Sequence, residues 1–119
     1  MIIKALSVKQ PWASFIAVGD KTIETRTWST KYCGDLLIVS SEKPDAMSEA
    51  VAKHYKLPLG MALCIARLVD CRPMTQEDEI AAKCACSENL YAWVLKDIRR
   101  IKPFPVKGQL RLYDVEMTS

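Results

Sequence analysis

The run Leu36-Leu37-Ile38-Val39-Ser40 is the feature that most constrains the fold of this chain. It is too short for a helix and rich in aliphatic side chains, and its apolar positions do not alternate with polar ones. A strand buried on both faces has that pattern. Layers must therefore cover it on either side, and the rest of the chain has to supply them.

Residues 2–8 read as a first strand. Residues 22–28, Thr-Ile-Glu-Thr-Arg-Thr-Trp, form a threonine-dense β run. Its alternation puts Thr22, Glu24, Arg26 and Trp28 on one face and Ile23, Thr25 and Thr27 on the other. Further strands are expected over 61–71, 90–101 and 109–116, with Lys102-Pro103-Phe104-Pro105 breaking the second of these. Between them lie short helical patterns. Pro11 suits a first helical position, Trp12, Phe15 and Ile16 share a face, and Gly19 stands where a C-terminal glycine belongs. Pro44 opens a second helix whose apolar stripe is Met47, Ala50, Val51 and His54. Thr75 and Asp78 have capping-box spacing, and a short helix is expected from there to about Cys84.

Several of these strands lack clean βαβ spacing, so a doubly wound parallel sheet is not expected. The expected fold is α+β: a small, mixed, mostly antiparallel β-barrel with short flanking helices. At 119 residues and 50% hydrophobic, residues 1–119 are expected to form one domain with a core that needs neither metal nor disulfide. An odd cysteine count of 5 with no secretory h-region argues for reduced thiols, with Cys64 packing as a small hydrophobe. Cys84 and Cys86 form a C-x-C pair. The sole histidine is distant and no second pair has zinc spacing, so no metal and no cofactor are expected. No apolar stretch approaches the roughly 20 residues of a membrane helix. The expected location is cytoplasmic, or nuclear in a eukaryote.

The net charge of +3 permits an anionic partner without requiring one. No phosphate-binding glycine loop and no nucleophile elbow is present. Four clusters remain. Lys9 and Gln10 stand at the start of the first helix, where free N–H groups attract anions, while Trp12 reads first as a core residue. Lys21, Glu24, Arg26 and Trp28 offer a carboxylate, a guanidinium fork and an aromatic plate. That set suits an unstacked base, and suits equally an ion pair on an exposed sheet. Ser40 and Lys43 lie at a strand-to-helix junction, with a serine there serving as a cap. Lys107 stands beside Gly108, which permits a tight turn.

The blocks Leu6-Ser-Val-Lys-Gln-Pro-Trp-Ala-Ser14 and Gly19-Asp-Lys-Thr-Ile-Glu-Thr-Arg-Thr-Trp28 resemble the signature of ASCH (activating signal cointegrator homology) domains. Gly34-Asp-Leu-Leu-Ile-Val-Ser-Ser-Glu-Lys-Pro44 continues the resemblance, and Pro105-Val-Lys-Gly108 is similar to the family's closing motif. The match is most specific in the first half and similar to the modules of transcription coactivators and to small prokaryotic counterparts. It implies a PUA-like barrel whose cleft binds RNA or a nucleotide-like ligand. On matching positions that cleft would include Lys9, Gln10, Trp12, Lys21, Glu24, Arg26, Trp28, Ser40, Lys43 and Lys107. Arg26 and Lys21 would meet phosphate or carbonyl oxygens, Trp28 would stack on a base and Glu24 would read an amino group.

One branch of the family hydrolyses the amide of acetylated cytidine with a lysine, a threonine and a glutamate, in a Lys-Thr-x-Thr-x-Arg motif. Here Lys21 and Arg26 match, but Glu24 occupies the nucleophile's position. A hydrolase reading, amidohydrolase or ribonuclease, would make Lys21 and Glu24 catalytic. A third reading, implied by the coactivator-type relatives, is a protein-interaction module.

Overall fold

A computed structural model describes residues 1–117. Its elements are β1 (Ile2–Val8), α1 (Trp12–Ala17), β2 (Ile23–Arg26), β3 (Gly34–Ser40), α2 (Glu49–His54), β4 (Met61–Pro73), α3 (Glu79–Ala82), β5 (Tyr91–Pro105) and β6 (Leu112–Glu116). Single 3-10 turns at Ala46–Ser48 and Gln76–Asp78 lead into α2 and α3.

One six-stranded sheet in the order β2-β5-β4-β3-β1-β6 forms the scaffold and curls into a half-barrel. Its pairs are antiparallel except β1 with β3, where Lys4 to Val8 run beside Leu36 to Ser40. β3 is central and covered on both faces, as its apolar run requires. Leu36 and Ile38 join a core with Leu6, Val8, Ala13, Ile16, Leu68 and Trp93, beneath α1. Leu37 and Val39 face the opposite way, into a second cluster with Ile3, Ala5, Ala62 and Tyr113.

β4 and β5 are long and irregular. The register between them shifts at Ala62/Cys64, Ile65/Arg67 and Leu68/Asp70. Bulges of this kind bend a strand pair and raise its twist. The bend lets one half of the β4–β5 pair serve β3 while the other half, Tyr91 to Val94, serves β2. That curl brings β2 around toward β1.

Three expectations are overturned. Lys102-Pro103-Phe104-Pro105 does not break β5: the strand runs to Pro105, with Phe104 and Pro105 opposite Ala62 and Met61. Beyond Val94, β5 has no β2 partner, so a proline there faces an open edge and removes no ladder bond on that side. The second helix is shorter than expected, with 3-10 geometry from Ala46 before α2 proper. Its stripe also faces outward. Met47 is 94% and Val51 41% exposed and His54 is exposed too, whereas Ala52 is the buried residue. The Thr75–Asp78 capping box forms, with the Thr75 N–H donating to Asp78 Oδ2 at 2.9 Å.

Candidate functional site

A cleft of about 800 Å³ opens between β1, the first turn of α1, β2, the α3 end and the segment before β6. At its floor Glu24 is 7% exposed. β2 alternation turns Glu24 and Arg26 inward, while Ile23 packs with Met74, Ala82 and Ala92 behind the strand.

Two cations pin the Glu24 carboxylate. Arg26 donates to Oε2 from Nη2 at 2.8 Å and from Nε at 3.2 Å. Lys21 Nζ lies 3.5 Å from Oε1, with side-chain exposures of 4% and 9% for the pair. Lys21 also donates to the Ala82 carbonyl, tying the cluster to α3. Arg26 reaches further and donates to the main-chain oxygen of Ser7 at 2.6 Å. β1 and β2 are not neighbours in the sheet, so this bond is a clasp across the open side of the half-barrel.

Aromatic rings flank the ion cluster. Trp12 is half-buried against the core and also lines the cleft, with Lys21 Nζ 5.7 Å from its ring centroid. Trp28 lies just past β2 and meets Trp93 edge-on, at 4.8 Å between centroids and 81° between planes. Trp93 Nε1 donates to the Trp28 carbonyl at 3.3 Å, which fixes the backbone there. Lys9, Lys83 and Arg111 stand around the cleft and, among the described residues, enter no ion pair. Glu42 and Asp45 lie on the same lining.

Lys9, Trp12, Lys21, Glu24, Arg26 and Trp28 therefore converge on one cleft. Gln10, Ser40, Lys43 and Lys107 do not line it. Gln10 is fully buried and acts within the fold. Its Oε1 accepts from the Ser14 N–H at 2.9 Å, and its Nε2 donates to Ser14 Oγ and the Pro58 carbonyl. The Trp12 and Ala13 N–H groups both donate to Lys9 O, at 3.0 and 3.4 Å. The first-turn donors of α1 thus already have acceptors, and the anion site expected there is closed. Ser40 is fully buried too; its hydroxyl accepts from the Met61 N–H and donates to the Met61 carbonyl, joining β3 to β4. At the strand-to-helix junction the Asp45 N–H donates to the Gln10 carbonyl at 2.8 Å, and α2 begins only after a 3-10 turn.

Lys83, Cys84, Glu42, Asp45 and Arg111 are lining residues that pattern reading does not reach. They lie in loops whose orientation depends on the curl of the sheet, and short-range spacing carries no signal for that. Cys84 Sγ sits 3.6 Å from the Thr25 hydroxyl. Among the described residues no cluster of three or more His, Cys, Asp or Glu is arranged to hold a metal ion, and no helix is long and apolar enough to cross a membrane.

The curled half-barrel and its lateral cleft define a PUA-like α+β protein. Residues 6–105 match the ASCH domain, and the chain belongs to that family. Over 127 aligned residues it is 28% identical to activating signal cointegrator 1 of Homo sapiens, and equally so to that of Mus musculus. Each alignment covers 93% of this chain but spans only 22% of the relative's length. Among solved structures, the ASCH protein of Zymomonas mobilis superposes with a TM-score of 0.56 over 86% of this chain and 72% of its own, at 16% identity. A point mutant of the same protein superposes at 0.58 over 86% and 74%, also at 16% identity. These likenesses establish the fold.

Proposed function

We propose that the cleft recognises single-stranded RNA or a modified nucleotide, and that the chain is a binding module rather than an enzyme. The observation that carries this reading is the convergence, in one cleft, of a pinned carboxylate, two indole rings and the basic side chains Lys9, Lys83 and Arg111. Base recognition needs those parts: a planar surface, a fixed acceptor for an amino edge, and cations for phosphate. The Lys21–Glu24–Arg26 cluster is pre-organised, so an acceptor is oriented before the ligand arrives.

Incubating the purified protein with nucleosides, acetylated cytidine included, and following them by mass spectrometry separates binder from hydrolase. The recognition reading predicts no turnover, with Glu24→Gln changing affinity alone. Turnover that disappears in Glu24→Gln or Lys21→Ala would instead make Lys21 and Glu24 catalytic.

A second reading, a protein-interaction module, also has an observation in its favour. Met47, Val51 and Tyr55 are exposed on and beside α2 at four-residue spacing, and Leu59 is exposed in the turn beyond. Under that reading Met47→Lys with Val51→Lys abolishes a partner contact and leaves RNA titrations unchanged.

A further inference from the structure

Sequence alternation presents Trp28 as the plate on which a base would stack, yet the ring is already covered. Arg111 Cζ lies 4.1 Å from the Trp28 ring centroid, the contact distance of a guanidinium over an indole. Trp28 is braced in turn by Trp93, which is fully buried. Arg111 is exposed and lines the cleft. Both groups line the cleft, with the guanidinium set over the indole.

The backbone holds that side chain in place. Arg111 has φ +61°, in the left-handed region that side-chain-bearing residues seldom occupy. Its flanks are fixed on both sides. Leu112 pairs with Leu6 on β1. Gly108 packs so closely on β1 that a Cβ there would come within 3.0 Å of Ser7 Oγ, and that oxygen is itself 2.7 Å from the Tyr113 hydroxyl. Ser7 also accepts the Arg26 clasp, so the Arg111 segment and the ion cluster share one anchor. Unlike Arg26, Arg111 forms no ion pair among the described residues, which leaves its N–H groups open at the edge of the plane.

We propose that Arg111 is the stacking platform of the cleft: the ligand's planar ring lies on the guanidinium, which lies on Trp28, which rests on Trp93. The inference deepens the nucleotide reading and rests on it. It makes Arg111 the residue that distinguishes a base-bearing ligand from a bare sugar-phosphate anion, because a guanidinium plane stacks on a base and a lysine ammonium does not.

The test titrates a short single-stranded oligoribonucleotide and an abasic strand of equal length and charge against wild type, Arg111→Lys and Arg111→Ala. Thermal melts of each variant confirm folding, since the side chain is exposed. Wild type is expected to prefer the base-bearing strand by roughly tenfold, in the range of one stacked base. Arg111→Lys should lose that preference while holding the abasic strand as wild type does. Arg111→Ala should lose it and also bind the abasic strand more weakly. A preference kept in Arg111→Lys would overturn the proposal and reduce Arg111 to a point charge. Tighter binding of the base-bearing strand by Arg111→Ala would overturn it too, making Arg111 a cover over Trp28. If wild type binds neither strand, the nucleotide reading falls and the platform with it; if it binds both equally, only the platform falls.

Discussion

At the residue scale the decisive group is Glu24. A buried carboxylate is stable only if its charge is compensated, and Lys21 and Arg26 supply that compensation from both sides. Removing the carboxylate strands two cations in a largely desolvated pocket. Glu24→Ala should therefore lower unfolding stability by about 3 kcal/mol in urea titrations. Glu24→Gln keeps an acceptor and should cost less. Cys64 shows the opposite logic. Burial among apolar side chains pushes its thiol up to about 12. The folded state holds the proton that the unfolded state releases near the ordinary thiol range. Stability is thus unaffected below that range and falls as pH rises from there toward 12. At pH 8 a thiol reagent should label exposed Cys33 promptly and Cys64 only on unfolding. The alternation of Ile23 to Arg26 made the Glu24–Arg26 face legible in the sequence, and the apolar run made Cys64 legible as a packing residue. Arg111 was not legible: its part in the cleft depends on a left-handed backbone and a tertiary contact with Trp28.

At the element scale, the strands were the readable part. β1 spans Ile2–Val8 and β3 Gly34–Ser40, as the apolar runs require. Two-sided burial of β3 follows from its composition and is seen in the division of Leu36 and Ile38 from Leu37 and Val39. The helices were harder. Stretches of 6 and 4 residues in α2 and α3 are too short for periodicity to fix a face, and the Met47–Val51 stripe turned outward. The Thr75–Asp78 box succeeded because its signal is local. Arg72 adds to it, donating to Asp78 from both Nη atoms at 2.7 and 2.9 Å. That fork, with the Thr75 N–H, holds the Asp78 carboxyl well below the usual carboxylate range. Its contribution is present at neutral pH and is lost as pH falls below that range through the depressed value. Asp78→Asn should destabilise by about 1–2 kcal/mol at pH 7, with the difference from wild type shrinking in strong acid. Gly34 makes a second test. It has φ +141° at the start of β3, and a Cβ would come within 2.9 Å of the Tyr32 hydroxyl. Gly34→Ala should lower the melting temperature by several degrees, equivalent to about 1–3 kcal/mol.

At the scale of the molecule, the sheet's curl makes the cleft. Bulged β4 and β5 carry β2 toward β1, and the Arg26 clasp on Ser7 ties the two across the gap. No local pattern encodes that closure. For that reason Gln10, Ser40, Lys43 and Lys107 looked like candidates in the sequence yet lie off the lining, while Lys83 and Arg111 joined it from distant segments. Under the nucleotide reading, cleft residues drawn from β1, β2, the α3 end and the β6 approach all face one ligand. The most direct test of that reading is a titration of single-stranded RNA at two salt concentrations, comparing wild type with the Lys9→Ala, Lys83→Ala double variant. Both lysines are exposed and outside the ion cluster, so folding should survive. Nucleotide recognition predicts salt-sensitive binding in wild type, and in the variant a loss of affinity with the salt slope reduced by about 1 to 2. Binding that keeps both its strength and its slope in the variant would contradict it.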